Sequence, residues 1–385
     1  MSFTKKEIIS TSIISALGAL MFLLLPVIIG ATTESLRLSE NQSGLLVSFY
    51  FLGFLIACLL SPLLTKKVIW RNIAYLGVSL MSIGLILISF YPEFQKVLLF
   101  LTIIGVGSGT LFSLAIVILS CSENAERYFG IKIIFEQVIG ALLLFLIPAY
   151  IVATFGYQGS FIAIAITVLL LGLASFALPK NSLQTRETII ASSQTNTSEM
   201  GASQFNIKLW IALFSLCLFF GALSTLWAFA ERLAVTNQLN GDEIGLALSF
   251  SVLGGAVGGL MAAYIGNKLN LKQFILLIAP LILFIVWVFY LKFTFIVFTL
   301  AAFSLSLCWN FSLAYQMKIV IIQDQSKASW LASFLAIGGI ICPAAGGVLL
   351  GVSGWLSLFI AISFILIICS VGFYKVCASK RQLAV

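Results

Sequence analysis

Apolar residues fall in long blocks rather than in the alternation of a half-buried strand. About 20 consecutive apolar residues cross the hydrocarbon core of a bilayer as a helix. Twelve blocks meet that length, at 8–30, 43–64, 73–91, 97–120, 130–154, 159–178, 207–230, 243–265, 271–291, 294–318, 330–352 and 355–376. Most are continuous, with no two-residue period, so a lipid-facing β-barrel is a poor match. The pattern predicts an all-α integral membrane protein of twelve transmembrane helices.

One segment breaks the pattern. Residues 179–206 are rich in Ser, Thr, Gln and Asn and separate the sixth block from the seventh. They read as a flexible cytoplasmic linker between two six-helix bundles, 1–178 and 207–385. The two halves repeat each other. GLLVSFYFLG at 44–53 matches GLALSFSVLG at 245–254 in six of ten positions, at an offset of 201 residues. GYQGSFIAI at 156–164 matches GWLSLFIAI at 354–362, at an offset of 198. Matches in one order at nearly one offset indicate a duplicated unit.

Composition agrees with a membrane solvent. The chain is 61% hydrophobic and 9% charged, too little charge for the surface of a water-soluble domain. The net charge of +8 is an orientation signal rather than a nucleic-acid footprint. With the N-terminus inside, 17 Lys and Arg lie on the inner side, and four (Arg37, Lys96, Arg232, Lys292) lie on the outer. This predicts a multi-pass protein of the inner (plasma) membrane with both termini cytoplasmic, and a first helix retained rather than cleaved. Seven scattered cysteines without a C-x-x-C pair read as buried thiols. The chain has no histidine, which removes His metal sites and His general bases. No metal or cofactor is expected, and no G-x-x-x-x-G-K-[ST] phosphate loop occurs.

Two six-helix halves, a polar central linker and inside termini resemble the major facilitator superfamily. That family carries a basic loop between helices 2 and 3. Here the loop reads SPLLTKKVIWRN, with Lys66 and Arg71 in the basic places but Thr65 where an Asp is usual. The second copy, AYIGNKLNLKQF, keeps Lys268 and Lys272. The family's drug antiporters usually have an Arg before a G-x-G in helix 4 and a G-P-x-x-G-G in helix 5. Helix 4 has Gly105, Gly107 and Gly109 without the Arg. The nearest match to the second motif, CPAAGG at 342–347, falls in helix 11. The resemblance implies a central path lined by helices 1, 4, 7 and 10, with helices 5 and 10 meeting at an inner gate.

Charges inside spans are costly and are functional candidates. Glu136, roughly 9 Å deep at 1.5 Å rise per residue, is the candidate proton carrier. Lys132, one turn earlier, could instead make it a structural ion pair. On the implied path, Trp227, Glu231 and Arg232 in helix 7, and Trp309, Asn310 and Gln316 in helix 10, are the candidate substrate-binding residues. Glu231 and Arg232 could equally mark a helix end, and Asn310 could bond a neighbouring helix. Lys66, Arg71, Lys268, Tyr315 and Lys318 are candidate gating residues at the cytoplasmic side.

Two aspartates on opposite sides, with no histidine, do not make a catalytic cluster, so no enzyme activity is expected. A sensor or scaffold would usually add a soluble domain. A secondary transporter remains, acting as a monomer in the bilayer on a small, weakly polar or amphipathic molecule. Proton-coupled export by alternating access is the first reading, and proton-coupled uptake of a small metabolite the second. The charge count generates a test of topology. An impermeant thiol reagent applied to intact cells should label Ser35→Cys and spare Ser193→Cys; labelling of Ser193→Cys would reverse the orientation.

Overall fold

The computed structural model describes residues 3–121, 125–179, 206–265, 270–324 and 330–378. In lipid every backbone polar group must be satisfied within the protein, and each apolar block does this by forming a helix. Chain order gives α1 (Lys5–Leu23), α2 (Leu25–Leu36), α3 (Glu40–Lys67), α4 (Trp70–Phe90), α5 (Phe94–Ser120), α6 (Ala125–Leu146) and α7 (Ala153–Gly172) in the first half. A π-helical turn, Ile147–Val152, joins α6 to α7 around Pro148, and a 3₁₀ turn, Leu173–Ala177, ends the half. The second half holds α8 (Ile207–Ala228), α9 (Ala230–Thr236), α10 (Gly241–Ile265), α11 (Leu271–Val288), α12 (Phe295–Gln323) and α13 (Trp330–Ala378).

Eleven of the described helices are long and apolar enough to cross a membrane. The last covers 48 residues, and Gly354 breaks it into two crossings, which completes the twelve. Gly354 has φ 74° and ψ −173°, and Gly156, at the matching place in the first half, has φ 59° and ψ −154°. This is backbone that only glycine adopts readily. Both positions are open, with nothing within 4 Å of where a Cβ would stand, so the requirement is conformational rather than steric.

The duplication recurs in the turns. Arg37 and Gln238, 201 residues apart, are the two non-glycine residues with positive φ among the described residues. At each, a six-residue bond closes the preceding helix, Leu38 N–H to the Thr33 carbonyl and Leu239 N–H to that of Ala234. Each is followed by a reciprocal capping box, Ser39 with Gln42 and Asn240 with Glu243. These two turns lie on the face opposite the one where α1 begins and α13 ends, called below the termini face.

The halves meet along two seams, α3 against α13 and α6 against α10. Both are built on glycine. A methyl on Gly44 would run into the Pro343 carbonyl, and Gly245 lies against the Leu144 carbonyl and the Pro148 ring. Lipid tails are as apolar as leucine, so close backbone approach rather than apolar burial holds such seams. Ser48 adds a hydrogen bond to the Ile340 carbonyl at 2.6 Å.

The paired glycines generate a test. Gly354→Ala and Gly156→Ala should each cost about 1–3 kcal/mol through backbone strain alone. Thermal unfolding in detergent measures this; an unchanged melting temperature in both variants would contradict the assigned geometry.

Candidate functional site

The site is organised by a break in the first span that its hydrophobicity does not reveal. Pro26 has no N–H to give the Phe22 carbonyl one turn earlier. The helix therefore stops at Leu23 and restarts at Leu25. The seventh span breaks similarly at Phe229, between α8 and α9. The indole Nε1–H of Trp227, just before that second break, donates to the Phe22 carbonyl at 3.1 Å. One half thus satisfies a backbone acceptor that proline exposes in the other.

Around this bond the rings of both halves collect. Phe22 lies 5.8 Å from Phe51, 5.7 Å from Phe220 and 6.0 Å from Trp309, centroid to centroid. Phe220 in turn touches Phe51 at 5.9 Å and Trp309 at 5.8 Å. Beside these rings, within the second half, is a small cavity of about 20 Å³, room for about one water, lined by residues that include Trp227, Ser251, Ser306 and Trp309. Its walls are otherwise apolar.

Helix α12 adds a polar stripe. Trp309, Ser312 and Gln316 share one face, and all three are buried. Trp309 Nε1, Ser312 Oγ and Gln316 Oε1 have no hydrogen-bond partner among the described residues. Unsatisfied groups of this kind cost several kcal/mol each in a low-dielectric interior. The three lie along one helix face with no group among the described residues to satisfy them.

Glu136 sits in the first half. Its Oε1 is 2.6 Å from Lys132 Nζ and accepts a hydrogen bond of 2.6 Å from Ser15 in α1. Both members of the pair are buried, and the Lys132 ammonium lies 4.4 Å from the centre of the Phe112 ring. Phe112 contacts Phe54 at 5.7 Å, and Phe54 contacts Phe51 at 6.3 Å. A run of rings therefore leads from the ion pair to the Phe22 cluster and Trp309.

The remaining candidates divide. Asn310 is not on the cavity wall: its amide donates to the Ser306 carbonyl at 3.0 Å and faces Gly255 on the α10–α12 seam. Tyr315 packs on Phe274 at 4.6 Å and Phe311 at 5.4 Å, toward the termini face, with half-buried Lys318 less than one turn beyond. Arg71 donates from Nε and Nη2 to the Leu178 carbonyl at 3.0 and 2.8 Å, which ties the start of α4 to the end of the sixth span. The Lys66 side chain and Lys268 lie outside the described residues. At the opposite face Arg232 pairs with Glu40 across the halves, its Nε 3.0 Å from Oε2, and Glu231 packs on Gly30 of α2. Sequence reasoning missed Ser15, Phe22 and Ser312, although Pro26 inside an apolar run was a readable mark of the break.

Two six-helix bundles enclosing a partly polar site across a membrane define a transport protein. The Major Facilitator Superfamily profile matches residues 10–320, and the chain belongs to that family of transporters. Over 340 residues the chain is 22% identical to the glucose/mannose transporter GlcP of Bacillus subtilis (strain 168), covering 80% of this chain and 79% of that one. Among solved structures it resembles the nucleoside transporter NupG, with TM-score 0.75 and 13% identity over 98% of this chain and 100% of that one. It also resembles a D-xylose-proton symporter, with TM-score 0.73 and 15% identity over 96% of each chain. At these identities the solved structures show the fold alone.

The Trp227 bond generates a double-variant test. Trp227→Phe should cost about 1–3 kcal/mol by leaving the Phe22 carbonyl with only the Leu24 N–H two residues on, which it shares with Leu20. In a Pro26→Ala background the new N–H can take that carbonyl, and the same change should cost under about 0.5 kcal/mol. Equal costs in the two backgrounds would show that the bond does not hold the halves together.

Proposed function

We propose that the chain is a proton-coupled secondary transporter of a small, uncharged, weakly polar organic solute, working by alternating access. The observation that carries this is the unpaired stripe of Trp309, Ser312 and Gln316 beside a nest of aromatic rings. A sugar or nucleoside offers the complement, an apolar ring face for stacking and hydroxyls for hydrogen bonding. The one buried ion pair among the described residues, Lys132–Glu136, has no net charge, so nothing in the described spans is arranged for a multiply charged solute. The names of the similar proteins point the same way, toward a hexose, a pentose and a nucleoside.

One of those names, a D-xylose-proton symporter, favours proton symport, here read as uptake, over the export that the sequence first suggested, and the incomplete drug-antiporter motifs agree. The positive-inside count places the termini face and the 179–206 linker in the cytoplasm. The opposite face, closed by Arg232–Glu40 and by Trp227 on Phe22, is then the outer gate. In this reading the bundles are 1–178 and 207–385, the chain works as a monomer, and it needs neither cofactor nor catalysis.

Glu136 carries the coupling in this proposal. Protonation removes the partner of Lys132, and an uncompensated buried charge is costly, so the local packing of α1, α5 and α6 must change. A proton that binds one conformation better shifts the population toward it. Glu136→Gln, made together with Lys132→Met to keep the charge balance, should abolish accumulation of labelled hexose in proteoliposomes driven by a pH gradient. Counterflow exchange of the same solute should persist. Uphill transport at the wild-type rate in this variant would remove Glu136 from the coupling.

A further inference from the structure

The proposed outer gate contains an acid that no part of the transport scheme uses. Glu231 lies in the first turn of α9, three residues past the end of the α8 span. Its carboxylate rests directly on Gly30 of α2, in the other half, where a methyl group would overlap it. No hydrogen-bond donor among the described residues reaches it. The next residue, Arg232, is held by Glu40, and adjacent residues on a helix do not face each other. The charged groups that bear on Glu231 are Arg232 on its own helix and Glu34 on α2, the element of the other half packed against α9.

From this geometry we infer that Glu231 is a second proton-binding site, and that closing the outer gate takes a proton from the outer medium onto its carboxyl. The inference rests on the transport reading only in naming the contact a gate. In the closed state the half-buried carboxylate has the Gly30 backbone against it and no donor among the described residues, so it is less well hydrated than in the open state, whereas the neutral acid is tolerated there. Opening separates α9 from α2, hydrates the group and frees Arg232 from Glu40. Burial pushes the Glu231 carboxyl up from 4.5 to about 7, Arg232 pulls it partly back, and Glu34 adds to the rise.

The sign follows from linkage. The group binds its proton more tightly in the closed state, so its contribution to closure is complete below about 4.5, the ordinary value, and gone above about 7. Between those limits the closed-to-open ratio should fall by up to about tenfold per pH unit. Gly30 is the seat of the switch, because any larger residue would displace the acid into solvent. An external medium that turns acid would then hold the transporter outwardly closed, independently of Glu136.

Distances between spin labels at Ser35→Cys and Thr236→Cys, exposed positions on the two sides of the gate, test this by pulsed electron resonance in nanodiscs without solute. In the otherwise unaltered chain the short-distance population should give way to a longer one as pH rises through the window from 4.5 to 7. Glu231→Gln should stay at the short distance at every pH. Gly30→Ala should lose the pH dependence while keeping the acid. Glu40→Gln should weaken closure at every pH yet keep the slope. A pH-independent distribution in the parent chain, or an unchanged slope in Glu231→Gln, would overturn the assignment. Loss of the slope in Glu40→Gln would move the proton to the Arg232–Glu40 pair. No solute is present, so the outcome does not depend on whether the transport reading stands.

Discussion

One backbone carbonyl organises the centre of this molecule. Pro26 leaves the Phe22 carbonyl without its helical donor, and in a hydrocarbon solvent there is no water to replace it. Trp227 of the other half supplies the N–H. A membrane protein cannot rely on apolar burial to press its halves together, so a directed bond to an exposed acceptor is a strong reason for two bundles to meet at one point. Phe22 also brings its ring among Phe51, Phe220 and Trp309, which sets the aromatic nest beside the cavity. A contact that holds the halves together and borders the candidate solute site is suited to couple the two.

The duplication gives the device its symmetry. The first and seventh spans break one turn or less from this bond, and each is followed by a left-handed cap and a capping box at the same offset. The two halves do not carry equivalent chemistry. The first keeps the buried ion pair of Lys132 and Glu136. The second keeps the unpaired stripe of Trp309, Ser312 and Gln316. Such a division suits a proposed transporter in which one bundle holds the coupling charge and the other most of the polar contacts to the solute.

Much of the fold was legible in the sequence because the bilayer imposes a length and a composition on each span. The twelve crossings and the repeat followed from local pattern; the glycine joints at Gly156 and Gly354 were not read, although both sit in a segment matched between the halves. The site was legible only in part. Trp227 and Trp309 do share a cavity, and the weighed alternative of a Lys132–Glu136 pair is present. Ser15 on Glu136 could not be read, because it comes 121 residues away and depends on how α1 packs against α6. Asn310 was placed on the path by its span, but the face it presents is set by Gly255, whose missing side chain leaves room for the amide. The seat of Glu231 on Gly30 joins two halves and has no local signature at all.

In the proposed transporter the solute binds at the unpaired face of α12. A high-resolution structure of the chain in nanodiscs, saturated with whichever solute supports counterflow, tests this most directly. Solute density is expected with hydroxyls within hydrogen-bond distance of Trp309 Nε1 and Gln316 Oε1, and a ring face against the aromatic nest. Well-defined solute density elsewhere, with the α12 stripe still unpaired, would contradict it.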